Sequence, residues 1–117
     1  MSTTTWIDAA SVDDAPTDDV IGIDVQGRDI ALYRVEGVLY ATDNTCTHGR
    51  ARLCEGFLLD HEIECPLHQA RFDVRTGEPT CGPATRAVRS YPVKVEAGRV
   101  WLGLENAAGT AEGVTPA

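Results

Sequence analysis

Two short motifs hold the residues of this sequence best suited to chemistry. One is Cys46-Thr47-His48. The other is Cys65-Pro66-Leu67-His68, and residues 49–64, 16 in number, separate the two. Each motif sets one thiolate source beside one imidazole. Soft thiolates and borderline imidazoles together suit zinc or an iron–sulfur centre. Zinc fingers usually keep two cysteines together and two histidines together, whereas both motifs here are mixed. A cluster with two chemically distinct irons gives a reason to draw one donor of each type from each of two loops. A mixed-ligand zinc site is a second reading. A third is ordinary buried cysteines with surface histidines, since free cysteine often packs as a small hydrophobe; that accounts for one pair better than for both.

The elements that must position these motifs read as short strands. Residues 20–25 alternate loosely and end at the turn Gln26-Gly27. Residues 30–35 and 38–42 flank Glu36-Gly37, a hairpin signal, and the second run leads into Cys46. Ile63-Glu64 leads into Cys65 in the same way, so both motifs are expected at loop tips facing each other. Residues 90–95 and 100–104 flank Glu96-Ala97-Gly98-Arg99, another hairpin. Pro92 has no N–H and predicts an edge position or a bulge. No long window keeps a helical period. Short strands at close spacing predict an all-β fold, a small antiparallel sandwich or barrel. Residues 43–87, rich in Gly, Cys, His, Pro and Arg, form a stretch too long for an idle loop in a compact domain. Residues 11–19 read as an acidic surface loop. Residues 105–117 read as a flexible C-terminal tail, leaving one domain over 1–104.

Composition narrows the function classes. The 117 residues suit one domain, and 43% of them are hydrophobic, enough for a modest core. Eighteen acidic residues against ten basic ones leave a formal charge of −8, which disfavours nucleic-acid binding. No stretch approaches the roughly 20 apolar residues of a membrane helix. Residues 1–6 lack the basic start and apolar run of a signal peptide. A cytoplasmic protein is expected, with cysteines reduced or bound to metal. No glycine-rich dinucleotide fingerprint follows a strand.

The run Cys65-Pro66-Leu67-His68-Gln69-Ala70-Arg71-Phe72-Asp73-Val74-Arg75-Thr76-Gly77, taken with Cys46-Thr47-His48 and Tyr91-Pro92-Val93-Lys94-Val95, resembles the Rieske-type [2Fe-2S] ferredoxins of aromatic-ring-hydroxylating dioxygenase systems, those of the naphthalene type most of all. The resemblance is strong over residues 46–104 and looser over 6–43. It implies a Rieske fold: a small antiparallel β-sandwich with a cluster-binding subdomain, within 43–87, inserted between the strands. It implies one [2Fe-2S] cluster, with Cys46 and Cys65 on one iron and His48 and His68 on the other. It also implies a third loop, near Gly82-Pro83-Ala84, covering the cluster. The expected protein is a monomeric electron carrier rather than an enzyme. It would take electrons from an NADH-dependent, flavin-containing ferredoxin reductase and pass them singly to a terminal Rieske oxygenase. A zinc-binding structural module and a small subunit of a nitrite reductase, which shares the fold, are the alternatives.

Departures from other Rieske branches sharpen this expectation. Ala51 and Leu67 stand where respiratory-chain members carry a disulfide, so that bridge cannot form. Cys54 and Cys81 are expected as reduced thiols, although sequence leaves a bond between them open. With His48 and His68 assigned, His61 alone cannot build the two-histidine, one-carboxylate iron site of an oxygenase; it reads as a turn residue. Ala70 and Phe72 stand where high-potential members carry hydroxyl donors to the cluster. Their absence and the negative charge predict a reduction potential near the low end of the Rieske range, about −150 mV. Redox-coupled imidazole protons predict a potential that falls in alkaline solution. Asp60, Glu62 and Glu64 beside the second motif are expected to steer docking, with Arg50, Arg52 and Arg71 complicating a purely acidic surface.

Overall fold

The computed structural model describes residues 3–46, 51–66, 70–81 and 86–106. Among them the chain runs through β1 (Thr3–Ser11), β2 (Asp19–Val25), β3 (Arg28–Val35), β4 (Val38–Asp43), β5 (Phe57–Leu59), β6 (Glu62–Glu64), β7 (Arg71–Asp73), β8 (Pro79–Cys81), β9 (Ser90–Tyr91), β10 (Val93–Glu96) and β11 (Arg99–Asn106). These pair into three antiparallel sheets, ordered β1-β11-β10, β2-β3-β4-β9 and β5-β6-β7-β8. The fold is all-β, as expected.

Turn chemistry sets the hairpins. Gln26-Gly27 joins β2 to β3 with φ of 54° and 82°, and Glu36-Gly37 joins β3 to β4 with φ of 52° and 82°. Positive φ at both central residues marks the tight turns whose twist matches the flanking strands, and glycine takes the second position without steric cost. Ala97-Gly98 repeats the pattern between β10 and β11.

The central strand β3 serves two cores. Successive side chains on a strand point to opposite faces. Ile30 and Leu32 enter a core with Ala41, Tyr91, Val100 and Leu102, between the first two sheets. Ala31 and Tyr33 enter a second core with Ile63, Phe72 and Val74 of the small third sheet. All four β3 residues are fully buried. This is why the run Ile30-Ala31-Leu32-Tyr33 shows no alternation of apolar and polar residues: both faces are covered.

Three findings depart from the sequence reading. Strand β1 carried no signal, because Thr3 to Asp8 is mixed in character; its pairing with β11, across a bulge between Asp8 and Ala10, makes it a strand. That ladder reaches Asn106, opposite Thr3, so Glu105 and Asn106 belong to the sheet rather than to a tail; the remaining residues, 107–117, lie outside the described ones. Within 43–87 the chain builds a sheet of its own from three-residue strands. Pro92 stands where the chain passes from β9 in one sheet to β10, the edge strand of another. Its carbonyl accepts from the Gly103 N–H at 2.9 Å, so the ladder holds without a proline donor.

Candidate metal centre

The cysteines that open the two motifs follow the last paired residues of two hairpin arms of matching register. In the first, Thr45 pairs with Arg52 across an isolated bridge, and the Cys46 N–H donates to the Ala51 carbonyl at 3.0 Å. In the second, Glu64 on β6 pairs with Arg71 on β7, and the Cys65 N–H donates to the Ala70 carbonyl at 2.7 Å. Each closure encloses four residues, and each is followed by arginine. The sequence carries this as a repeat, Cys-x4-Ala-Arg, at Cys46 and again at Cys65. That signal was legible and went unread. The backbone thus holds both cysteines at equivalent places, one step beyond the last paired residue.

Both thiols are buried, with Cys46 2% and Cys65 1% exposed, and both belong to one core cluster with Leu53, Ala70 and Phe72. His48 and His68, the imidazoles of the motifs, lie outside the described residues, as do Arg50 and the segment Gly82-Pro83-Ala84. The ends that bracket this last segment are anchored. The Val88 N–H donates to Gly77 O at 2.9 Å, and the Asp43 N–H to Arg89 O at 2.8 Å, returning the chain to the first hairpin.

The other candidates fall outside the centre. His61 is half-buried in the β5–β6 turn, with its ring edge-on to Tyr40 at 6.0 Å between centroids. Cys54 is half-buried, Cys81 is exposed on β8, and the two are separate thiols. The nearby arginines are engaged: Arg52 with Asp29 and Glu55, Arg71 with Glu62 and Glu64. The Arg52 guanidinium beside Asp29 holds that carboxyl below its usual range, and Arg75 does the same for Asp73. Asp60 remains exposed beside the second hairpin.

Two buried sulfur donors, held at equivalent hairpin positions in one core cluster with an imidazole source two or three residues further along each in sequence, fit a cluster that takes two thiolates and two imidazoles. Residues 5–92 match the model of the Rieske [2Fe-2S] domain. The chain belongs to the Rieske [2Fe-2S] family. The chain is 59% identical over 103 residues to a Ralstonia protein, the ferredoxin component of naphthalene 1,2-dioxygenase/salicylate 5-hydroxylase systems, covering 88% of this chain and 99% of that one. Among solved structures it resembles the ferredoxin of carbazole 1,9a-dioxygenase from Nocardioides aromaticivorans, with a TM-score of 0.80, 37% identity, and coverage of 84% of this chain and 96% of that one. It also resembles a chain in a complex of reduced oxygenase and oxidized ferredoxin in carbazole 1,9a-dioxygenase, with a TM-score of 0.77 and 37% identity, covering 83% of this chain and 91% of that one. The cofactor of the domain is one Rieske [2Fe-2S] cluster. Among the described residues no helix is long and apolar enough to cross a membrane.

Sequence reasoning passed over one further residue. Asn44, two positions before Cys46, is fully buried and hydrogen-bonded on every side. A polar residue directly ahead of a ligand motif was the available signal.

Proposed function

We propose that this Rieske domain is a one-electron carrier. It accepts electrons from an NADH-dependent, flavin-containing ferredoxin reductase and delivers them singly to the terminal oxygenase of an aromatic-ring-hydroxylating dioxygenase system. It acts as a cytoplasmic monomer and catalyses no reaction on the aromatic substrate. The observation that carries this reading is the pair of buried thiols at equivalent hairpin positions in a chain 59% identical to a dioxygenase ferredoxin component. The ligand set we propose is Cys46 and Cys65 on one iron and His48 and His68 on the other, within one domain whose last strand runs to Asn106.

When bound, the cluster supplies reversible one-electron storage. The chain supplies the surroundings. The Cys46 and Cys65 N–H bonds fix both sulfur-bearing residues against their own loops, and burial shields the sulfur side from water. Ala70 and Phe72, both fully buried, offer no hydroxyl, which favours a potential near the low end of the Rieske range, about −150 mV. Because Arg52 and Arg71 are engaged in ion pairs, the exposed Asp60 and the net charge of −8 favour a basic docking surface on the partners.

The test is reconstitution. Purified protein should contain two irons and two acid-labile sulfides per chain. Added to a flavin reductase, NADH and a terminal oxygenase, it should restore turnover that is absent without it. Iron-free protein that still supports turnover, or iron-loaded protein that accepts no electron, would overturn the proposal.

A further inference from the structure

The first hairpin is tied to the central sheet by a side-chain network. The Asn44 N–H donates to Asp29 O at 3.0 Å, and its carbonyl accepts from the Leu53 N–H at 2.6 Å. Its side-chain Nδ2 donates to Asp29 Oδ1 at 3.0 Å and to Cys54 Sγ at 3.2 Å, while Oδ1 accepts from the Cys54 N–H at 2.8 Å. Asp29 also receives Arg52, with Nε on Oδ2 at 3.0 Å and Nη2 on Oδ1 at 3.0 Å. Arg52 is the residue opposite Thr45, and its neighbour Ala51 takes the Cys46 N–H. Both arms of the hairpin, before and after the ligand loop, are therefore bound to β3 through one carboxylate and one buried amide. Gly22 on β2 floors the network. A Cβ there would stand 3.0 Å from Arg52 Nη2, from Asn44 Nδ2 and from Cys54 Sγ, so this glycine serves a need for space.

We propose that Asn44, with Asp29 and Arg52, is a positioning group for Cys46: the network fixes both arms of the first hairpin against β3 and so holds the Cys46 sulfur where the cluster requires it. The proposal rests on the reading of Cys46 as a ligand. Asn44 is fully buried with both polar side-chain atoms bonded, which makes it a rigid anchor for the exposed Asp29–Arg52 pair, and groups that orient a ligand tune the metal it holds. The second hairpin is braced differently, by the Arg71 pairs with Glu62 and Glu64 inside its own sheet. Disturbing the Asn44 network should therefore act on the sulfur of the first loop.

The experiment uses the iron-loaded full chain and the variants Asn44→Ala, Asp29→Asn and Gly22→Ala. It measures the EPR line positions of the reduced form, the reduction potential, the rate of iron loss to a chelator, and the melting temperature. Asn44→Ala should lose iron roughly tenfold faster than wild type, as expected for loss of the one buried member of the network, with displaced EPR lines. Gly22→Ala, far from the motif in sequence, should displace the lines in the same sense, and Asp29→Asn should do so more weakly. Variants that melt earlier but keep the wild-type EPR lines, potential and iron-loss rate would overturn the proposal, because a merely structural role predicts that result. Should Asn44→Ala fail to fold, the other two variants decide by the same criteria. A Cys46→Ser protein that retains the wild-type cluster would overturn the ligand reading and this proposal with it, an outcome distinct from failure of the network alone.

Discussion

Phe72 and Ala70 show how much a missing hydroxyl can decide. Both are fully buried in the core that contains Cys65. Phe72→Tyr should raise the reduction potential by about 60 mV, the one-electron equivalent of a hydrogen bond worth about 1.4 kcal/mol, as measured by redox titration. An unchanged potential would mean that the added hydroxyl does not reach the cluster. Tyrosines elsewhere govern alkaline stability. Burial pushes the Tyr33 phenol well above its ordinary value, although its hydrogen bond with Thr42 opposes the shift. Burial, reinforced by the hydrogen bond to Asp43, pushes Tyr91 up to about 12. Both folded-state values exceed the unfolded value near 10, so their contribution is fully present below that pH and is lost as pH rises through 10 to 12. The melting temperature should fall steeply above pH 10, and less steeply in Tyr91→Phe.

At the scale of elements, close approach of strands constrains the centre more than local propensity does. Gly56 precedes β5, and a Cβ there would overlap the Glu64 carbonyl oxygen and crowd Pro66 Cδ at 3.2 Å. Gly56→Ala should cost about 2 kcal/mol and lower the melting temperature by roughly 10 °C, since overpacking against backbone cannot relax through a rotamer. A variant melting as wild type would show that β5 can move away from the second hairpin. The tight turns were readable because positive φ is a local demand that glycine meets, and Pro92 was readable because a missing N–H is a local fact. Strand β1 was not readable. Its residues show no recognisable pattern until Thr5 is brought opposite Leu104, and Ala10 opposite Val100, on β11.

For the whole molecule, the proposed docking on a basic partner makes encounter a matter of charge. With a net charge of −8, reduction by a basic partner should slow roughly tenfold or more between low and high ionic strength, measured by stopped-flow absorbance. Rates independent of salt would argue for an uncharged docking surface. Acid also acts globally. Asp29 and Asp73 have folded-state values below their unfolded ones, so their stabilising effect is present above the ordinary carboxylate range and is lost as pH falls through the folded values. Stability should decline below about pH 4, modestly for Asp29, which is 42% exposed and screened by solvent.

The sequence by itself carried the family, the all-β class and the pairing of one cysteine with one histidine in each motif, because each rests on residue chemistry or on spacings of a few positions. Tertiary structure alone decided that β3 is covered on both faces, that three-residue strands build a sheet around the second motif, and that Asp29 reaches across to Asn44 and Arg52. Those features depend on partners far away in the chain, and neither burial nor a hydrogen bond exists until folding brings the partners together.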